Sequence, residues 1–149
     1  MTTRGVSTTL GFVLTLTITA ILVSGLMVAA GGFVSGERER ITEAELEVIG
    51  QRLAANLEAT DRVVAGSDDQ TTVRISSRLE LPPRVAGTTY RVTVEPDASG
   101  ESELVLESSD PRITVRVPFV NRTRLAGSSV DGGDVVVDYD GTQLEVTDE

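Results

Sequence analysis

The stretch Leu10–Val34, LGFVLTLTITAILVSGLMVAAGGFV, carries no charged residue and decides how the rest of the chain is read. As a helix its twenty-five residues extend about 37 Å, more than a hydrocarbon core of roughly 30 Å. Thr15, Thr17, Thr19 and Ser24 do not forbid burial in lipid, because a helical hydroxyl can return to the carbonyl one turn back. A secretory signal peptide would be shorter and would end at a small-residue cleavage site. Here a periodic, charged helix follows directly, so the segment is expected to stay on the protein as a single membrane-spanning anchor. Arg4 lies on its N-terminal side, whereas Glu37, Arg38, Glu39 and Arg40 follow it. The positive-inside rule then places the short N-terminal flank in the cytoplasm and the acidic bulk outside the cell.

Working outward, charge divides the chain. Residues 1–36 carry Arg4 alone, residues 37–65 seven acids against four arginines, and residues 66–149 sixteen against eight. The net charge of −10 arises without a single lysine, and there is no Cys, His or Trp. Such an acidic, aromatic-poor surface fits a protein kept soluble at very high salt, where screening shortens electrostatic range to about 3 Å at 1 M. It lacks the basic patches that nucleic-acid phosphates require, so no nucleic-acid partner is expected.

Residues 37–65, ERERITEAELEVIGQRLAANLEATDRVVA, read as an amphipathic helix. Leu46, Ile49, Leu53, Leu57 and Val64 recur at helical steps and make one apolar stripe, which Ile41, Ala44 and Val48 widen. Thr42 and Glu45 match a capping box, which predicts a restart of the helix there after Gly31-Gly32 and Ser35-Gly36. Gly66-Ser67-Asp68-Asp69 is the expected end. Beyond it the chain alternates with period two: Val73/Ile75/Leu79/Leu81, Tyr90/Val92/Val94, Leu104/Leu106, Ile113/Val115/Val117/Phe119, Val135/Val137/Tyr139 and Leu144/Val146. That predicts about six short antiparallel strands, the last two joined by a two-residue turn at Asp140-Gly141. The alternation argues against a disordered acidic tail. The fold class is therefore α+β, a long N-terminal helix followed by a small antiparallel β-domain that borrows core from the helix. Its parts are a leader at 1–5, a membrane helix at 6–36, the amphipathic helix at 37–65 and the β-domain at 66–149.

Candidate sites are few. No His, Cys or Lys is present to activate a serine, and no glycine-rich phosphate loop occurs, so no enzyme, catalytic residue or cofactor is expected. Asp131-Gly-Gly-Asp134 and Asp138-Tyr-Asp140-Gly141 look like fragments of calcium loops but lack the ligand register and the closing bidentate glutamate, so no metal is expected either. Asn121-Arg-Thr123 is an N-glycosylation sequon past the fourth strand. Gly25 and Ala29 stand in a small-xxx-small spacing that lets membrane helices approach closely.

The N-terminal residues Arg4-Gly5-Val6-Ser7-Thr8-Thr9-Leu10-Gly11 resemble the start of archaeal type IV pilins, with Ile18-Thr19 at a position where those helices carry a similar pair. Thr8 stands where proline is usual. With the lysine-free acidic composition, the chain is similar to the pilin-like membrane proteins of haloarchaea. The resemblance implies a class III signal peptide, cut by a prepilin peptidase between Gly5 and Val6. It also implies an assembly helix including Gly11, Ile18, Thr19, Gly25 and Ala29, and copies of itself or other pilin-like subunits as partners beside the lipid bilayer. The function expected from it is a structural subunit of a cell-surface filament or related envelope assembly. The alternative is a single-pass protein that never polymerises and displays a β-domain to another envelope protein.

Overall fold

The computed structural model describes residues 3–67 and 73–148, with side chains from Leu10 onward. Met1 and Thr2 of the expected leader, and Asp68 and Asp69 of the expected helix end, lie outside the described residues. The architecture is α+β: among the described residues helix α1 (Thr3–Ala65) precedes seven strands, β1 (Ile75–Leu79), β2 (Tyr90–Glu95), β3 (Glu101–Ser108), β4 (Thr114–Val120), β5 (Ser128–Asp131), β6 (Val135–Tyr139) and β7 (Leu144–Asp148). Two compact units result, Met1–Glu37 and Arg38–Glu149, so the charged second half of α1 belongs with the strands.

Helix α1 does not restart at Thr42, as the capping-box reading expected. The Thr42 hydroxyl donates to the Arg38 carbonyl at 2.9 Å, one turn back inside a continuous helix. Glu45 accepts instead from the backbone N–H of Ala86 at 2.9 Å. Gly31, Gly32 and Gly36 are therefore tolerated in mid-helix, at a propensity cost of about 1 kcal/mol each. The helix ends at Ala65, where the Gly66 N–H meets the Arg62 carbonyl and the Ser67 N–H meets that of Val64.

The strands form two antiparallel sheets, one ordered β1-β6-β7 and the other β4-β3-β2-β5. Segment 124–126 knits them together: Leu144 donates to the Arg124 carbonyl, Ala126 donates to that of Leu144, and the chain then runs on into β5 beside β2. The alternating apolar positions face inward as their pattern requires, with Tyr90, Val92, Val94, Leu104, Leu106, Val117, Phe119, Val135, Val137, Tyr139, Leu144 and Val146 all buried. The inward stripe of α1, Leu46, Ile49, Leu53, Leu57 and Val64, belongs to the same core, but Ile41, Ala44 and Val48 do not widen it as expected: at about 100° per residue they turn to the opposite side of the helix and are exposed. Gly50 lets the helix come close. A Cβ there would stand 2.7 Å from Val117 Cγ2 and 2.9 Å from Leu106 Cδ1.

Two expectations about the strands are corrected. Among the described residues there are seven strands, not about six, because β5 (SSVD) presents two serines and only one buried apolar residue, Val130. The β6–β7 connection is not a two-residue turn, since Tyr139 pairs with Leu144 and leaves residues 140–143 as the loop. Asp140 Oδ1 accepts the N–H groups of both Thr142 (2.7 Å) and Gln143 (2.9 Å), a side-chain mimic of a turn that makes the longer loop favourable.

Candidate functional site

The apolar half of α1 is the feature that most needs a partner. Every residue from Leu10 to Ser35 is exposed, including Leu10, Phe12, Leu14, Leu22, Met27 and Phe33. Its polar atoms are already satisfied. Thr15 donates to the Gly11 carbonyl, Thr17 to Val13, Thr19 to Thr15 and Ser24 to Ala20, all at 2.8–2.9 Å. The segment thus presents hydrocarbon and no free hydroxyl donor, which is what a bilayer interior demands. Among the described residues it is the one helix long and apolar enough to cross a membrane.

Of the residues singled out within it, Gly11, Ile18, Gly25 and Ala29 fall on one helical face, since steps of seven and four nearly close whole turns. Thr19 lies about 100° round from Ile18, with its hydroxyl turned to the backbone. A Cβ at Gly11 or Gly25 would meet nothing within 4 Å. Arg4, Gly5 and Val6 lie in the first turns of α1.

The sites singled out in the β-domain are occupied by local structure. Asp131 pairs with Arg91 at 2.9 Å, and Asp140 caps its own loop, whose N–H groups hold its carboxyl below the usual carboxylate range. Among the described residues no group of His, Cys, Asp or Glu is placed to hold a metal ion. Asn121 is half-buried, its Oδ1 accepting from Ser102 Oγ (2.7 Å) and its Nδ2 donating to the Thr123 carbonyl (2.9 Å). A glycan would replace one of the two hydrogens on Nδ2 and leave a single N–H for the bond to Thr123.

Three docking contacts were invisible as such in the sequence, and all are carboxylates on α1. Glu45 caps Ala86, which sits at φ +46° beside Gly87 at φ +87° in the tight turn between Val85 and Thr88. Glu58 accepts from the Val120 N–H on the edge of β4, 3.3 Å away. Buried Asp61 accepts from Arg122 at 3.1 Å and from Thr123 at 2.7 Å. Together they fix the helix against loops from both ends of the second sheet. The available signal was Asp61 itself, an acid one turn after Leu57 on the otherwise apolar stripe. Tyr90 holds the β1–β2 connection a second time: its hydroxyl donates to the Pro82 carbonyl at 2.7 Å, and burial pushes its pKa up to about 12.

A protein-family model matches residues 1–147, described as a family of unknown function, DUF7266. The chain belongs to the DUF7266 family. Because the match covers α1 and all seven strands nearly to the end, the apolar helix and the β-domain are both part of what defines DUF7266. No curated protein and no solved structure matches the chain.

Proposed function

We propose that this DUF7266 chain is a pilin-like structural subunit of a cell-surface filament or related envelope assembly, held in the membrane by its N-terminal helix with the β-domain outside the cell. The observation that carries the reading is the continuity of α1. Its first half exposes an unbroken apolar surface, and its second half is the spine of the domain core. An exposed apolar surface of that extent requires lipid or other apolar helices around it. The pilin-like start at Arg4-Gly5-Val6, with Gly11, Ile18, Gly25 and Ala29 sharing one face, supports self-assembly over simple anchoring.

The test is N-terminal sequencing and crosslinking of protein from a native-type host. A mature N-terminus at Val6 that depends on the prepilin peptidase, with crosslinked ladders through residues 10–34, is the expected result. A full-length, membrane-bound protein that gives no ladder would favour the non-polymerising display protein instead. No metal or cofactor enters this function, and catalysis is not part of it.

A further inference from the structure

The charged half of α1 has a second face. Opposite the core stripe, Ile41, Ala44, Val48 and Ala55 are exposed, with Ile41 and Val48 at 43% and 55%. Their spacing is 3, 4 and 7, which is the a/d pattern of a coiled coil and distinct from the 46-49-53-57 stripe turned to the sheets. With Ile41, Val48 and Ala55 at a, position d holds Ala44 and Gln51, position g holds Arg40 and Glu47, and position e holds Glu45 and Arg52.

We propose that this face is one seam of a parallel two-stranded coiled coil whose other strand is a second copy of the same chain. The inference rests on the membrane-anchor part of the proposed function and not on filament formation. Charge complementarity selects the partner. In a parallel pair, each g residue meets the e residue five positions on in the other strand. Arg40 then faces Glu45 of the second copy, and Glu47 faces Arg52, so each such contact is of opposite sign. An antiparallel pair would set g against g′ and e against e′, where Arg40–Glu47 and Glu45–Arg52 are also of opposite sign, so direction is set by the anchor instead: two copies held in one membrane through their N-terminal helices are parallel. Among the described residues neither Arg40 nor Arg52 takes part in an ion pair within its own chain. Glu45 uses only Oε2 on Ala86, and Glu47 only Oε1 on Gln51, which leaves an oxygen on each for a partner.

The surface beside the seam fits the same occupant. A shallow, mainly apolar groove of about 430 Å³ runs between Ala44 and Val48 on α1 and Pro82 and Val85 on the neighbouring loop. β-branched residues at a favour two strands, and Ala44 at d permits close approach. The seam is only about two heptads long and contains Gln51, too short to pair two free chains in water. Confinement to one membrane supplies the effective concentration that the contact itself lacks.

The experiment exploits the absence of native cysteine. Full-length Ile41→Cys, Ala44→Cys, Val48→Cys and Glu43→Cys variants are placed singly in phosphatidylcholine vesicles at low protein-to-lipid ratio and oxidised. The proposal expects disulfide dimers from the three seam positions and at least about tenfold less from Glu43→Cys, which is exposed on a different face. Arg52→Glu, added to Val48→Cys, should lower the yield about fivefold, and Glu47→Arg in the same chain should restore it. Equal crosslinking at Glu43, none at the seam, or no charge-swap rescue overturns the pairing. A Thr17→Cys/Val28→Cys double variant, processed and crosslinked in the native-type host, separates this from the filament reading. Ladders there without seam dimers leave the filament standing and sink the coiled coil, and seam dimers without ladders do the reverse.

Discussion

The two halves of α1 are both regular helix, and both carry leucines, glycines and back-bonded threonines. In the first half, Leu22, Gly25 and Thr17 touch nothing outside their own helix. In the second, Leu53 is fully buried, Gly50 is in contact range of Val117 and Leu106, and Thr42 is buried. What separates them is polarity of the surroundings: a helix with one apolar face can bury it in its own domain, whereas one apolar on every face needs a surrounding apolar phase. The difference teaches that only the second half contributes to the stability of the β-domain. Deletion is the harshest way to break that claim. A chain beginning at Arg38 should be water-soluble and melt cooperatively, whereas one beginning at Gly66 should lose its cooperative transition, because the core then lacks Leu46, Ile49, Leu53, Leu57 and Val64. A sharp melt from the shorter chain would remove the helix from the folding unit.

Leucine substitutions sharpen the comparison. Leu53→Ala should destabilise the domain by about 2–5 kcal/mol, the range for a large-to-small change in a packed core. Leu22→Ala, on an exposed site, should leave the domain's denaturation midpoint unchanged in detergent. Equal losses at the two positions would mean that the apolar half also supports the domain.

A pH titration is the next largest lever and again falls on the domain alone, since nothing between Leu10 and Val34 titrates. The Tyr90 phenol has its folded pKa raised from 10.0 to about 12. The native state therefore holds a proton that the unfolded state has released between those values. That contribution is fully present below pH 10 and fades as pH rises towards 12, by about 2–3 kcal/mol in all. In Tyr90→Phe this part of the alkaline loss should vanish, with about 1 kcal/mol lost at neutral pH for the bond to Pro82. An unchanged alkaline slope in the variant would show that another group controls it.

Legibility in the sequence followed from how local each cause is. The charge gap from Leu10 to Val34 and the period of Leu46, Ile49, Leu53, Leu57 and Val64 are one-dimensional signals, and both elements stand where they point. So do the strands with alternating valines and leucines. β5 did not announce itself, because Ser128 and Ser129 are held by pairing with Val94 and Thr93 of β2, a partner far away in sequence. The capping-box reading of Thr42 failed for a similar reason: the preceding helix supplied a carbonyl, and a distant loop supplied the N–H for Glu45. In a chain this acidic, Glu45, Glu58 and Asp61 look like any other solvated carboxylates. Only the tertiary structure separates the three that dock loops from those that do not.

The finest division between the halves is drawn by glycine. Alanine in place of glycine in a helix interior gains about 1 kcal/mol from propensity alone. At Gly25 nothing lies within 4 Å of the added methyl, so Gly25→Ala should leave the domain melt untouched. At Gly50 the methyl arrives 2.7 Å from Val117 Cγ2, and the propensity gain is set against about 1–3 kcal/mol of overpacking. The atoms it meets are side-chain methyls on β3 and β4, and at 2.7 and 2.9 Å they must shift to admit it. The difference between the two terms is a net loss of about 0–2 kcal/mol, measured by denaturant titration of a chain beginning at Arg38. A gain at Gly50 equal to the propensity term would mean that the helix does not approach the sheet closely there, and the close contact between α1 and Val117 would have to be redrawn.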